Sequence, residues 1–167
     1  MKFTSFLLFF FVVSGVTAES EVVSRGGPRP WPDRKEYYHI LKEGDLAGID
    51  RELAVVAAIG GNAGQSYSGT LLMRKAGLLK VPGEKLRSFK GGRIRLEMAI
   101  RADTANVENR FLRLIIQEHA PKIVKYRGQL IADRELIRQH FARLPADLRD
   151  AIRDYSETSA VLHPADL

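Results

Sequence analysis

The chain has 167 residues with 26 Lys and Arg, 20 Asp and Glu, and a formal net charge of +6. Its length suits one domain of ordinary size, and 45% hydrophobic residues exclude the wholly disordered and collagen-like classes. It contains no cysteine, which excludes a disulfide framework, a thiolate nucleophile and any cysteine-ligated metal.

Lys2 precedes an apolar run from Phe6 to Val13, and Val16-Thr17-Ala18 offers the small residues that a signal peptidase reads. The 13 residues from Phe6 to Ala18, interrupted by Ser14, Gly15 and Thr17, fall short of the roughly 20 that span a bilayer. Residues 1–18 are therefore expected to be a cleaved signal peptide. The mature chain is expected in the periplasm or outside the cell, without stable membrane insertion. Residues 19–33 read as a Pro/Gly-rich flexible tail, because Pro28, Pro30 and Pro32 favour an extended backbone. Trp31 within it is expected to dock back onto the domain.

From residue 34 to 156 the apolar spacing is that of a helical domain. Arg34 to Lys42 reads as a first helix, with Gly44 past its end and Asp45 as the next N-cap. Leu46, Ile49, Leu53, Val56 and Ala57 then share one helical face, until the glycines at 60, 61 and 64 break it. A third helix is expected from about Gln65 to Leu79. Pro82 opens the strongest segment, Glu84 to Asp103, where Phe89, Gly92, Leu96, Ala99 and Ile100 form an apolar stripe. Beside that stripe Arg93, Glu97 and Arg101 are spaced for an i, i+4 ion-pair ladder. Val107 to Glu118 follows, with Val107, Phe111, Leu114 and Ile115 inward, and Pro121 stops it. Further helices are expected over about 129–144 and 146–155, and residues 157–167 as a flexible C-terminal tail.

Short turns between such helices predict an all-α fold of stacked antiparallel helix hairpins, with the Glu84–Asp103 helix and its successor as one hairpin. Leu96, Ala99 and Ile100 leading into Asp103 follow a tetratricopeptide pattern. Thr104 replaces its usual proline, and no second copy lies at the period of about 34 residues, so the repeat is degenerate.

The stretch from Lys90 to Asp103, continuing through Asn106-Val-Glu, Arg110-Phe-Leu-Arg, Ile116-Gln and Ala120-Pro121, resembles an uncharacterised family. Its members are small exported tetratricopeptide-like helical proteins of Bacteroidota-type bacteria. Tyr126 and the Asp133-Arg134 pair fall where that family's closing residues would be. The likeness spans roughly residues 66–137 and implies the helical fold and the export. It carries no established activity and no catalytic residue.

The chemistry-bearing residues are sparse. His39, His119, His140 and His163 show no metal-ligand spacing, so no metal site is expected, and His119 reads as a helix-terminal cap. The stretch from Gly60 to Gly69 lacks both the Gly-x-Ser-x-Gly elbow and the lysine of a phosphate loop; it reads as a helix break followed by a small-residue packing face. No cofactor and no catalytic residue is expected. The most suggestive feature is Arg110 with Arg113 in a strongly apolar helix, since an unpaired guanidinium at a buried stripe is costly. Arg110 borders that stripe more closely than Arg113, and it is either a fork for a ligand carboxylate or phosphate, or a bidentate pair with Glu97 or Glu108 that locks two helices.

The basic set Lys85, Arg87, Lys90, Arg93 and Arg95 spreads over more than one face and does not favour nucleic acid. An anionic envelope component such as lipopolysaccharide suits it better. The sequence thus predicts a helical binding or scaffold domain that recognises a protein or peptide partner in the bacterial envelope. Arg110, Arg113, Gln117 and Tyr126 are its candidate binding residues. The alternative is an envelope glycan- or lipid-modifying enzyme, favoured if Glu97 and Asp133 converge in one cleft.

Overall fold

A computed structural model describes residues 33–167; the expected signal peptide, Trp31 and all but Asp33 of the expected N-terminal tail lie outside the described residues. These form an all-α fold with no strand among them. In chain order the helices are α1 (Arg34–Glu43), α2 (Leu46–Ala57), α3 (Gly61–Leu78), α4 (Pro82–Ala102), α5 (Val107–His119), α6 (Leu130–His140) and α7 (Ala146–Ser156). Their starts are set by local chemistry. Asp33, Asp45 and Asn106 each cap the helix that follows by accepting backbone N–H bonds, and Pro82 supplies the fixed φ of the first turn of α4.

Two helix hairpins dominate. α3 and α4 run antiparallel, as their cross-contacts show: Asn62 donates to the Ala99 carbonyl, Arg95 to Ser68 Oγ, and Ser88 to the Leu72 carbonyl. The backbones meet at two glycines. A Cβ on Gly69 would lie 2.7 Å from the Gly92 carbonyl oxygen and 2.8 Å from the Leu96 nitrogen. The small-residue face expected after Gly60 is this contact, and it lets two long helices approach more closely than side chains permit. α4 therefore packs chiefly on α3, whereas the sequence reading pairs it with α5. α5 instead forms the second hairpin with α6. α3 also begins earlier than expected, at Gly61, because Gly60 and Gly61 carry the positive φ values (67° and 56°) that turn the chain there.

α5 is the central helix. Leu112 and Ile116 enter one hydrophobic cluster with Tyr37, Ile49, Tyr67, Leu71 and Leu96, while Val107, Phe111 and Leu114 enter another with Ile137, Leu148 and Ile152. A helix apolar on two sides leaves little surface for polar residues, so Arg113 and Gln117 are buried along with them. In α2 the buried stripe is Gly48, Ile49, Glu52 and Val56, rotated from the expected one; Leu46 and Ala57 are exposed.

The C-terminal segment 157–167 is packed, against the expectation of a flexible tail. Leu162 is fully buried in the second cluster. Glu118 accepts hydrogen bonds from Tyr155 Oη at 2.6 Å, Ser159 Oγ at 2.7 Å and the Ala160 amide. Burial alone would raise the Glu118 carboxyl, but these donors outweigh it and hold the pKa below the ordinary 4.5. A lowered carboxylate pKa supplies stability that is complete above pH 4.5 and is lost as pH falls through the folded-state value. On acidification through that window, amides of 157–167 are expected to exchange before those of α5. Glu118→Gln is expected to abolish that early step; an unchanged pH profile of exchange in the variant would assign it elsewhere.

Candidate functional site

The spacing of Arg110, Arg113 and Gln117 puts them on one side of α5, facing α6. Asp133, in the first turn of α6, receives Arg113 in a bidentate fork, with Nε and Nη2 each 2.7 Å from a carboxylate oxygen. Arg113 Nη1 donates to Glu97 Oε2 on α4 at 3.1 Å. Tyr126 reaches Glu97 from the other side, its hydroxyl 2.6 Å from Oε1. Lys125, at a left-handed φ of 47°, turns the backbone just before that tyrosine. The Tyr126 ring sits edge-on to Phe89, with the Arg93 guanidinium 4.6 Å from its centroid. Arg110 lies at the margin, 3.5 Å from Asp133 and donating to the Thr104 carbonyl. Gln117 exchanges hydrogen bonds with Gln129, the residue before α6, and so fixes where that helix starts.

Arg110, Arg113 and Tyr126 thus belong to one network joining α4, α5 and α6, and Gln117 makes a separate pair with Gln129 beside it. Burial works against the charge on Arg113, yet Asp133 and Glu97 prevail and its pKa is raised. Burial and the Glu97 acceptor together raise the Tyr126 hydroxyl well above the usual tyrosine range. The structural lock expected of Arg110 belongs to Arg113 instead, because Arg113 points into the α4–α5–α6 contact while Arg110 stays at its margin. The bidentate partner of Arg113 is Asp133, with Glu97 making one further bond; Glu108 is engaged elsewhere. There, behind α5, Glu108 accepts Arg34 Nε and Nη2 at 2.9 Å each, together with the hydroxyls of Tyr38 and Tyr67.

The expected Arg93–Glu97–Arg101 ladder does not form, because Glu97 turns inward to Arg113 and Tyr126 and makes no ion pair with either neighbour. Glu97 and Asp133 do converge, but on a guanidinium. It fills the space in which a glycosidic oxygen and a water would have to sit between two working carboxylates. His119 Nδ1 lies 2.9 Å from the Ile115 carbonyl, the capping contact expected of it. No group of three His, Cys, Asp or Glu among the described residues is placed to hold a metal ion.

Outside the network lies the exposed side of α4. Leu86, Ile94 and Met98 are 50%, 59% and 53% exposed there. Arg87, Lys90 and Arg101 share that outer face, Arg93 and Arg95 flank it, and Lys85 lies on the opposite side of the helix near its start. Among the described residues none of these six cations pairs with a carboxylate, although Arg34, Lys42, Lys75, Arg110 and Arg113 all do. A shallow hollow of about 320 Å³ adjoins the face between Arg93, Ile94, Arg101, Tyr126 and Gln129. A second concavity, about 380 Å³, opens between α1, α5 and α7 over Tyr38, Phe111, Ile115 and Tyr155, and the Lys42–Asp154 ion pair crosses its rim.

The fold and these sites define an all-α chain whose described helices include none long and apolar enough to cross a membrane. Compared with family models, curated proteins and solved structures, the chain matches none.

Proposed function

We propose that this chain is an exported binding domain of the bacterial envelope, built on a degenerate tetratricopeptide-like scaffold, that recognises an acidic protein or peptide partner through the outer face of α4. The reading rests on one observation: five exposed cations without carboxylate partners, Arg87, Lys90, Arg93, Arg95 and Arg101, lie on or beside the face of Leu86, Ile94 and Met98. Exposed apolar side chains set among unneutralised charge of one sign match a partner that brings the opposite charge and apolar anchors of its own. Arg110, Arg113 and Tyr126 serve this face from behind, by holding α4 against α5 and α6, and Gln117 does so by fixing the start of α6. The resemblance to small exported helical proteins of Bacteroidota-type bacteria supports the compartment.

The test is crosslinking of the tagged protein in its native host, with captured material identified after low-salt and high-salt washes. A defined acidic protein is expected, held through high salt by the apolar anchors. Lys90→Glu combined with Arg101→Glu is expected to reduce its capture about tenfold or more, as two rim charges turn repulsive. Both positions are exposed, so the unfolding midpoint should stay within about 0.5 kcal/mol of the parent. Equal capture by the double variant would refute the assignment of this face. Capture only of lipopolysaccharide, lost at high salt, would replace the protein partner with anionic envelope material.

A further inference from the structure

The opposite sign of charge gathers between α1 and α2. A hollow of about 460 Å³ there is lined by Glu36, Glu43, Asp45 and Glu52 together with Arg51 and His39. Among the described residues none of those four carboxylates forms an ion pair. Three are exposed and by themselves would be ordinary surface acids. Glu52 is different. It occupies the buried stripe of α2, is only 6% exposed, and makes no hydrogen bond with any described residue. Its carboxylate oxygens, without a partner among the described residues, keep contact with solvent at the hollow, where an incoming counter-charge would meet them. Its burial, and then the nearby Glu36 and Asp33 charges, push its pKa up from the ordinary 4.5, as expected of an acid still awaiting its counter-charge.

The hollow lies against the last turn of α1, whose carbonyl end is negative, and against the first turn of α2 at Asp45 and Gly48, whose amide end is positive. Its carboxylates do not form a group that could share one metal ion. A set of acids too dispersed for a point charge, around a hollow with Ile40 and Val55 on its walls, fits a cation whose charges are spaced along an apolar chain.

We propose that this hollow is a binding site for an extended organic cation, with Glu52 as its deepest ligand and Glu36 and Glu43 at its mouth. The cation's amines meet carboxylates and its methylenes lie on Ile40 and Val55. Free polyamines and the lysine side chains of a basic peptide share that chemistry.

Isothermal titration calorimetry of the folded protein with spermidine, and separately with tetralysine, tests the site and distinguishes the two sources. Saturable binding of at least one probe is expected, unaffected by an equal concentration of Mg²⁺. Glu52→Gln removes the charge and keeps the shape, so it is expected to fold and to weaken binding about tenfold. Arg51→Gln takes a competing cation from the lining and is expected to strengthen binding about threefold. A merely structural Glu52 would leave both affinities unchanged. The proposal is overturned by unaltered binding in Glu52→Gln, by displacement with Mg²⁺, or by no heat from either probe. The outer face of α4 plays no part in this experiment, so its outcome is independent of the partner reading above.

Discussion

Arg113→Ala is expected to destabilise the fold by about 3–5 kcal/mol, the largest loss of any single polar substitution in the chain. The side chains of Arg113 and Asp133 are 5% and 1% exposed, so the variant leaves a buried carboxylate with only the more distant Arg110 as counter-charge. Glu97 loses one partner too, but at 22% exposure it can be rehydrated and it keeps the Tyr126 hydroxyl. The penalty therefore falls mainly on Asp133. Combining Arg113→Met with Asp133→Leu removes both charges from the same space and is expected to recover most of the loss. Urea unfolding of the three variants measures it. If Arg113→Ala lost under 1 kcal/mol, the fork would be dispensable to the fold, and Arg113 would be free to bind a ligand.

Two neighbouring glycines of α4 are expected to respond to alanine with opposite signs. A Cβ on Gly92 would press on the Gly69 carbonyl, and would lie 2.8 Å from Met73 Cγ and 2.9 Å from the Met73 nitrogen. Two of those three atoms belong to the α3 backbone, so relief requires the helices to separate along their whole contact. Gly92→Ala is expected to lose about 3 kcal/mol, at the upper end for an overpacked site. A Cβ on Gly91 meets nothing within 4 Å, and the residue sits in mid-helix. Gly91→Ala is expected to gain about 0.5–1 kcal/mol from helix propensity alone. Thermal unfolding of the pair is decisive: equal shifts for the two would mean that the α3–α4 approach does not depend on the missing side chain.

The register of that hairpin was present in the residues. Gly69 and Gly92 stand at nearly equal distances on either side of the turn at residues 79–81, a symmetry that marks where two helices joined there would touch. Reading α4 with its successor overlooked this pairing. The partner of Arg113 was less legible. Glu97, Glu108 and Asp133 are all carboxylates on helices that could face α5, and helical spacing does not rank them. The choice depends on which neighbour lies across from Arg113, and Tyr38, Tyr67 and Arg34 claim Glu108 from another side. Glu52 was invisible for a related reason. A rotation of α2 by a fraction of a turn decides whether it faces water or the core, and the pattern Leu46–Ile49–Leu53 pointed to a different face.

By itself the sequence determined the all-helical class, the caps at Asp45 and Gly44, the stop at Pro121 and the apolar stripe of α4. Each of these follows from interactions within one or two turns of chain, where residue spacing and backbone geometry are the whole cause. Only the tertiary structure decided which helices pair, where the C-terminal segment packs, and which charges are satisfied. Those outcomes depend on side chains far apart in sequence, such as Glu97 with Arg113 at 16 residues and Glu118 with Ser159 at 41, competing for the same few partners. A charge takes its role from what remains unpaired once that competition ends. That is why α4 presents its cations outward and Glu52 is left without one.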